Sequence, residues 1–306
     1  MQLRIVSRNS PLAMWQAEYV RGRLRAAHPG LDVSISGVTT TADRFLDQPL
    51  SALGGKGLFV KELEQEMLDG NADLAVHSMK DVPVLLPDGL DLPVILKRED
   101  VRDAFISSRF GALDELPHGA RVGTSSLRRR CQLLALRPDL EVLELRGNVG
   151  TRLGRLDGGD LDAIVLAAAG MARLGLETRV REFLATERML PAIGQGALGI
   201  ECRAGDQTSQ ALIGVLNDVP TAQCVLAERA VNRTLFGGCH VPIAGLARIT
   251  AAGLELEALV GTLDGRRLLR DRILGAPAEA EQLGRELGAR LLDQGAADIL
   301  REIGHD

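Results

Sequence analysis

Cys239 lies in the run Phe236-Gly237-Gly238-Cys239-His240-Val241-Pro242, where two glycines precede it and a histidine follows it. Glycine leaves room around a neighbouring side chain, and a histidine beside a thiol favours its reactive thiolate form. The run therefore predicts a reactive cysteine on a loop. Two alternatives stay open: an inert thiol, the usual state of a lone cysteine, and a hydrolase nucleophile activated by His240. Adjacent side chains rarely reach the geometry that the second alternative needs.

Asp81 closes a second group of ionisable side chains. An apolar strand pattern ends at Val76 and is followed by His77-Ser78-Met79-Lys80-Asp81, before Pro83 stops regular structure. In an open α/β sheet, polar groups at the end of a strand lie where such sheets bind ligands. A carboxylate there can stabilise a positive charge that develops during a reaction. The alternative is a surface turn formed by Lys80 and Asp81.

Three other segments place arginines where a strand pattern meets a helix pattern. In the first, Ser10 is a predicted N-cap and Pro11 the first helical residue, so backbone N–H groups are available to an anion beside Arg8. The other two segments run over residues 123–130 and 145–152. Two glycines in the last of these allow the backbone to approach a ligand.

Arg128 and Arg129 fall in the first turn of a predicted helix, where a cation opposes the helix dipole. Arginines in an unfavourable place indicate that an anion binds there, and arginine is a better clamp for carboxylates than lysine. The alternative is a set of solvated surface arginines. That alternative is natural for a chain in which only four of the 36 basic residues are lysines.

Composition argues against several classes of protein. The chain has 306 residues, a formal net charge of -5 and 3% aromatic residues. Net acidity and few stacking rings argue against a nucleic-acid binder, although Arg128-Arg129-Arg130 form a basic run. No stretch approaches the roughly 20 apolar residues of a membrane span, and no export signal is recognisable. The four cysteines form no C-x-x-C pair, so we expect no metal site and a cytoplasmic location.

Short apolar runs alternate with helical patterns over the first two thirds of the chain, which is typical of α/β sheets. The strands predicted there are 3–6, 33–38, 74–76, 104–106, 121–123, 142–145 and 163–166. The charged run 97–103 predicts a hinge. In the last third, a helix over 222–235, strands over 243–249, 254–260 and 268–274, and a helix over 279–292 predict a small α+β domain.

Six runs, in this order and spacing, resemble the hydroxymethylbilane synthase (porphobilinogen deaminase) family over essentially the whole chain. They are Ser7-Arg8-Asn9-Ser10-Pro11-Leu12-Ala13, Gly54-Gly55-Lys56-Gly57-Leu58-Phe59, His77-Ser78-Met79-Lys80-Asp81-Val82-Pro83, Gly123-Thr124-Ser125-Ser126-Leu127-Arg128-Arg129, Leu145-Arg146-Gly147-Asn148-Val149 and Gly238-Cys239. One departure is Ala42 before Asp43, where the family usually has glycine. Alanine would be strained there if the turn needs a positive φ.

The resemblance implies a fold with two periplasmic-binding-protein-like α/β domains around a cleft and a smaller C-terminal α+β domain. The expected boundaries are 1–98 with 195–216 for domain 1, 102–191 for domain 2 and 219–306 for domain 3, which carries the cofactor cysteine. A monomer is also expected.

The resemblance further implies a transferase of haem and tetrapyrrole biosynthesis. Such an enzyme joins four porphobilinogen molecules head to tail, with loss of ammonia at each step, and releases linear 1-hydroxymethylbilane by adding water. Its primer is a covalent dipyrromethane cofactor, and Cys239 matches the cysteine that holds it by a thioether bond. Each pyrrole ring carries an acetate and a propionate, so the growing chain needs many cations to bind it.

The same resemblance implies the site residues. Asp81 is the candidate catalytic carboxylate, which stabilises the positive charge left when ammonia departs. The residues expected to bind cofactor and substrate are Arg8, Ser10, Gln16, Lys80, Thr124, Ser126, Arg128, Arg129, Arg146, Arg152, Arg173 and Gln195. Lys56, in the glycine-rich stretch 43–57, and Phe59 at its end are expected in an active-site loop that covers the cleft. The alternative is a disordered connection.

A non-enzymatic anion-binding protein is the main competing interpretation. Two α/β lobes with helix N-termini at a cleft describe such proteins equally well. A reversible binding protein, however, has no need of a reactive cysteine, so Cys239 favours the enzyme.

Overall fold

The computed structural model describes residues 2–40, 60–236 and 241–303. Its strands are β1 (Gln2–Arg8), β2 (Asp32–Val38), β3 (Leu74–Ser78), β4 (Leu90–Ile95), β5 (Asp103–Ile106), β6 (Arg121–Gly123), β7 (Glu141–Leu143), β8 (Ala163–Ala167), β9 (Glu182–Leu184), β10 (Leu198–Arg203), β11 (Ile243–Thr250), β12 (Gly253–Gly261) and β13 (Leu268–Gly275). Its helices are α1 (Pro11–Ala27), α2 (Lys61–Leu68), α3 (Leu127–Leu136), α4 (Val149–Asp157), α5 (Ala168–Arg173), α6 (Gln207–Gly214), α7 (Val219–Thr234), α8 (Ala280–Asp293) and α9 (Ala296–Glu302).

The chain divides into two compact units, Met1–Glu99 with Ala197–Ala222 and Asp100–Gly196 with Gln223–Asp306. The first unit contains a five-stranded sheet in the order β2-β1-β3-β10-β4. The second contains a five-stranded sheet in the order β7-β6-β8-β5-β9 and a three-stranded sheet, β11-β12-β13. Two α/β sheets and a smaller α+β part confirm the predicted fold class. The boundaries of three separate domains stay a prediction.

In the first unit, β1 pairs in parallel with β2 and β3, and β10 runs antiparallel to its neighbours β3 and β4. One face of this sheet packs its aliphatic residues against α1 and α6, through Ile5, Val20 and Ile213 among others. The opposite face packs against α2 through Leu63 and Met67. Helices α1 and α2 therefore cover opposite faces of this sheet.

Strands β4 and β10 were not predicted from the sequence, and their residues explain why. Asp91 and Pro93 interrupt the apolar pattern of β4, and Glu201 interrupts that of β10. Charged residues are rare in central strands such as β10, and proline disrupts the strand pattern even of an edge strand such as β4, so neither segment carries a clear strand pattern. Both strands form because Ile95 and Ile200 pack into the sheet despite these interruptions.

In the second unit, β6 pairs in parallel with β7 and β8, while β5 is antiparallel to β8 and β9. Helix α3 packs on one face of this sheet through Leu133, and α4 packs on the other through Leu153 and Leu156. Ser126 caps α3 by accepting the N–H of Arg129 at 3.4 Å, and Asn148 caps α4. Capping fixes where both helices begin.

The three-stranded antiparallel sheet packs one face against α7, α8 and α9. Glu228 of α7 is fully buried, and its two oxygens accept the N–H groups of Gly194 at 2.7 Å and Ala247 at 2.8 Å. These bonds tie α7 to β11 and to the segment before β10. Within the described part of the chain, no helix combines the length and apolar character needed to cross a membrane.

Replacing Glu228 with alanine should lower the free energy of unfolding by about 2–5 kcal/mol, because two buried N–H groups lose their acceptors. Urea denaturation measures this loss. Glu286→Ala, at an exposed residue paired with Arg290, is the control and should have a much smaller effect. A loss for Glu228→Ala no greater than for Glu286→Ala would contradict the assignment.

Candidate functional site

A small pocket of about 60 Å³ opens in the first unit at the ends of β1 and β3 and the start of α1. Its lining residues are Arg8, Ser10, Leu12, Ala13, Gln16, Val60, Leu63, Val76, His77, Ser78 and Asp81. Four predicted site residues, Arg8, Ser10, Gln16 and Asp81, therefore meet in one place.

Local hydrogen bonds hold this pocket in shape. The Oγ of Ser10 accepts the N–H of Ala13 at 3.3 Å, and Pro11 is the first helical residue, so the predicted N-cap of α1 is confirmed. Gln16 is buried and donates its Nε2–H to Ser78 Oγ at 2.8 Å, which ties α1 to the end of β3. Asp81 ends the short 3-10 turn that follows β3.

Lys80 lies in the same turn as Asp81 and is half-buried, but it is not among the residues that line the pocket. Its neighbour Met79 is buried beneath the turn. Lys80 is therefore next to Asp81 in the chain, but its side chain does not line the pocket.

Three ionisable residues that sequence reasoning did not select lie beside the pocket. His77 is buried, and its Nε2 lies 2.7 Å from Oε2 of Glu201, which is also buried. Glu64 of α2 is buried near this pair. Burial raises the pKa of Glu64 to about 7, and repulsion by Glu201 adds to the shift while His77 opposes it.

In the second unit, Asp103 joins the two arginines at the start of α3. Arg128 donates from Nη1 to Asp103 Oδ2 at 2.7 Å, and Arg129 donates from Nη2 to Oδ1 at 2.8 Å. Gln195 is fully buried and donates its Nε2–H to Asp103 Oδ1 at 3.0 Å. Burial alone would raise the pKa of Asp103, but Arg128 and Arg129 outweigh it and hold that pKa well below its ordinary value.

This cluster has an unbalanced charge. Arg128 and Arg129 are 3% and 5% exposed, so they are not solvated surface arginines. Among the residues that the structure describes, Asp103 is the only carboxylate that contacts either guanidinium. Two guanidinium groups and one carboxylate leave one buried positive charge. A buried charge needs a partner, so the cluster fits an anionic ligand.

The remaining predicted residues of the second unit take different positions. Thr124 is buried, and its Oγ1 accepts the N–H of Ser126. Arg173 is buried and donates to Gly196 O at 2.8 Å, and Arg152 donates from Nε to Gly147 O at 2.8 Å. Arg146 is half-buried, and within the described ranges its buried Nη1 has no hydrogen-bond partner. That nitrogen is a second position suited to a carboxylate.

Cys239, His240, Lys56, Phe59 and the Ala42 turn lie outside the described residues. The three described cysteines, Cys131, Cys202 and Cys224, are free thiols and buried. Burial raises the pKa of Cys131 to about 12 and that of Cys202 to about 11. In the part of the chain that the structure describes, no three His, Cys, Asp or Glu side chains are grouped to hold a metal ion.

Some missed residues left a signal in the sequence. Glu201 stands alone in an apolar strand, and Glu64 lies between Leu63 and Met67 on the buried face of α2. A charged residue at a buried position marks either a pairing or a function. Asp103 left a weaker signal, because it closes the charged run 97–103, which is typical of a solvated segment. Only the structure shows that Asp103 is the first residue of β5.

Two family models match the chain. The model for "Porphobilinogen deaminase, dipyromethane cofactor binding domain" matches residues 3–211, and the model for "Porphobilinogen deaminase, C-terminal domain" matches residues 222–293. Together they span nearly the whole chain, including the pocket of the first unit and the Asp103 cluster. The residues 237–240 around Cys239 fall within the second match.

Solved structures also show likenesses. A methionine-binding lipoprotein from Bacillus subtilis is 12% identical, with a TM-score of 0.45 over 71% of this chain and 90% of its own. A periplasmic substrate-binding protein of an ABC transporter from Coxiella burnetii is 16% identical, with a TM-score of 0.46 over 74% of this chain and 94% of its own. These likenesses are too weak to bear on the activity.

Asp103→Asn should lower the free energy of unfolding at pH 7 by about 3–5 kcal/mol, because two buried guanidinium groups lose their counter-charge. The folded-state pKa of Asp103 is depressed, so its stabilisation is complete above the ordinary carboxyl pKa of about 4. The difference from wild type should therefore shrink as the pH falls below about 4.

Urea denaturation between pH 3 and pH 7 measures both effects. Asp139→Asn is the matched control, because Asp139 pairs with Arg137 where both side chains are partly exposed. It should lose much less stability. Equal losses for the two variants would show that the buried pair contributes no more than the partly exposed one.

Proposed function

The chain belongs to the porphobilinogen deaminase family, and we propose that Asp81 is the catalytic carboxylate of its reaction and Cys239 the attachment point of its cofactor. The enzyme is a transferase of tetrapyrrole biosynthesis with a dipyrromethane cofactor. It joins four porphobilinogen molecules head to tail, releases ammonia from each, and yields the linear 1-hydroxymethylbilane after addition of water.

The uncompensated charge of the Asp103 cluster is the observation that supports the binding role most strongly. Porphobilinogen and the cofactor carry an acetate and a propionate on each ring. One excess positive charge among Arg128, Arg129 and Asp103, and the buried Nη1 of Arg146, suit carboxylates of this kind. We assign Arg128, Arg129 and Arg146 to carboxylate binding on this ground.

The other predicted residues take supporting roles in this proposal. Gln195 orients Asp103 through its amide, and Thr124 and Ser126 shape the start of α3. Arg8 and Ser10 bind a ring carboxylate in the pocket of the first unit, where Gln16 keeps α1 in place. The binding roles of Lys80, Arg152 and Arg173, and the loop roles of Lys56 and Phe59, are proposed from the family match alone.

Asp81 acts on the step that releases ammonia. Breaking the C–N bond of the aminomethyl group leaves a positive charge on the substrate pyrrole, and Asp81 lies in the pocket wall with Arg8. A carboxylate about 4 Å from that charge, at an effective dielectric constant of about 20, lowers its energy by on the order of 4 kcal/mol. This corresponds to roughly a thousandfold in rate. Asp81 can also accept a hydrogen bond from a pyrrole N–H.

Cys239 is the proposed site of the thioether bond. When bound, the dipyrromethane supplies the pyrrole carbon that accepts the first substrate. The state of the other thiols supports the choice of Cys239, since Cys131, Cys202 and Cys224 are buried. Because the thiolate is the reactive form, the raised pKa values of Cys131 and Cys202 keep both unreactive at neutral pH.

We also propose that the enzyme works as a monomer in the cytoplasm. The thiol state of the three described cysteines supports a reducing compartment. The sequence contains no heptad repeat that would favour association through a coiled coil. Its small-molecule partners are porphobilinogen and the growing polypyrrole.

Asp81→Asn should reduce kcat by roughly a thousandfold, because asparagine keeps the shape of the side chain and removes its charge. Steady-state kinetics with porphobilinogen measures the effect. Asp88→Asn, at an exposed residue of the same connection, should keep wild-type activity. A kcat for Asp81→Asn within tenfold of wild type would remove Asp81 from the catalytic role.

Cys239→Ala should yield a protein without the mass of two pyrrole units, and acidic dimethylaminobenzaldehyde should give no colour with it. Intact-protein mass spectrometry of the variant and the wild type measures the difference. Cys224→Ala is the control and should keep both the added mass and the colour. Added mass that survives in Cys239→Ala would place the attachment elsewhere.

A further inference from the structure

A buried cluster of His77, Glu201 and Glu64 lies against the wall of the pocket in the first unit. His77 lines the pocket together with Asp81, and it meets Glu201 at 2.7 Å. The roles assigned so far to the pocket do not use any of the three. Buried titratable groups beside a pocket are candidates for a functional role.

The sheet brings these three residues to one face. Strands β3 and β10 are antiparallel, with His77 opposite Gly199 and Ala75 opposite Glu201. Ala75 and His77 are two residues apart in β3, so both side chains point to the same face of the sheet. Glu201 shares that face because it lies opposite Ala75. Ala75 packs against α2, so His77 and Glu201 also face α2. Helix α2 buries Leu63, Glu64 and Met67 against that face.

The backbone of β10 is irregular at this position. Its pairing with β4 shifts between Ile200 and Cys202, so Glu201 falls at a break in the register. Irregularities of this kind change the direction of a side chain and are frequent beside active sites.

The two carboxyl groups of the cluster do not have all their hydrogen bonds. Oε1 of Glu64 and Oε1 of Glu201 are buried, and within the described residues neither has a hydrogen-bond partner. If both glutamates are ionised, the cluster carries a net negative charge beside the pocket. Burial and Glu201 hold the pKa of Glu64 at about 7, so this charge appears as the pH rises through neutrality.

Other charged groups on the strands and the helix around Glu64 do little to change the net charge of the cluster. They are Arg4 and Arg8 on β1, Asp73 before β3, Arg203 on β10, and Lys61, Glu62 and Glu66 on α2 itself. Arg4 and Arg203 both pair with Asp73, at 2.8 and 2.9 Å. Arg8 lines the pocket. Among the groups that shift the pKa of Glu64, His77 is the one that favours its ionised form.

We propose that Glu64 makes substrate binding depend on pH: the pocket accepts the carboxylates of porphobilinogen while Glu64 is neutral, and the His77–Glu201–Glu64 cluster repels them once Glu64 is ionised. When Glu64 ionises, negative charge appears behind the wall that His77 forms, and the affinity for the acetate and propionate of porphobilinogen falls. The rate of the chemical step changes less. This inference rests on the proposed placement of the substrate beside Asp81.

The test compares kcat and KM of the holoenzyme for porphobilinogen between pH 6 and pH 9, in wild type, Glu64→Gln and the control Glu66→Gln. Glu66 lies on the same helix and is half-buried. Relative to Glu64→Gln, the KM of wild type should be equal at pH 6 and higher by on the order of tenfold at pH 9, the effect of one charge within about 10 Å. Glu66→Gln should follow wild type, and the kcat ratio should stay constant.

A KM that rises in parallel in wild type and Glu64→Gln, with normal turnover, would overturn this inference and leave the proposed function intact. A wild-type chain that does not turn over porphobilinogen at all would overturn the proposed function itself. The two failures are therefore distinguishable.

Thermal unfolding gives a readout that does not depend on activity. The folded-state pKa of Glu64 is raised, so wild type loses stability as the pH rises from about 4 to about 7, and a glutamine at this position does not. Glu64→Gln should therefore have a higher Tm than wild type at pH 8, by on the order of 5 °C, and a smaller gain at pH 5.

A Tm difference that does not change between pH 5 and pH 8 would show that Glu64 undergoes no such ionisation, and would overturn the inference. If Glu64→Gln does not fold, Glu64→Met carries the same two measurements, because methionine is neutral and of similar volume.

Discussion

The ion pair between Asp103 and the two arginines of α3 is the interaction on which the second unit depends. Asp103 fixes both guanidinium groups but neutralises only one of them. Arginines placed at the start of a helix and buried would repel each other without it, and with a second carboxylate they would have no charge left for a ligand. A single carboxylate therefore gives both order and attraction. Groups held in place before the ligand arrives lose little entropy when it binds.

The first unit prepares its pocket by neutral contacts. Ser10 caps α1, and Gln16 donates to Ser78, so the walls around Arg8 and Asp81 are held by hydrogen bonds that carry no net charge. Arg8 and Asp81 place one cation and one anion in the wall of the same pocket. Such a pair suits a substrate that brings carboxylates and develops a positive charge at its reacting carbon. Binding and chemistry thus use charges of opposite sign.

Much of this arrangement could be predicted from the sequence because it depends on local patterns. The N-cap at Ser10, and the position of Asp81 directly after a buried strand, follow from short runs of residues. Asp103, Glu201 and Glu64 could not be paired in advance, because each meets its partner across a sheet or between sheet and helix. Antiparallel β10 is the clearest case: its chain neighbours contain no sign that it lies between β3 and β4.

Burial raises the pKa values of ionisable groups in this chain to two different extents, and each extent has its own consequence. It raises the pKa of Cys131 and Cys202 so far that their thiolates are negligible at neutral pH, which keeps both from reacting with an electrophilic pyrrole. It raises the pKa of Glu64 only to about 7, where a small change in surroundings decides the charge. An apolar residue would pack there without the cost of a buried carboxyl. We infer that a carboxyl kept at that cost, beside the pocket proposed for the substrate, acts on the ligand, since buried groups with perturbed pKa values concentrate at functional sites.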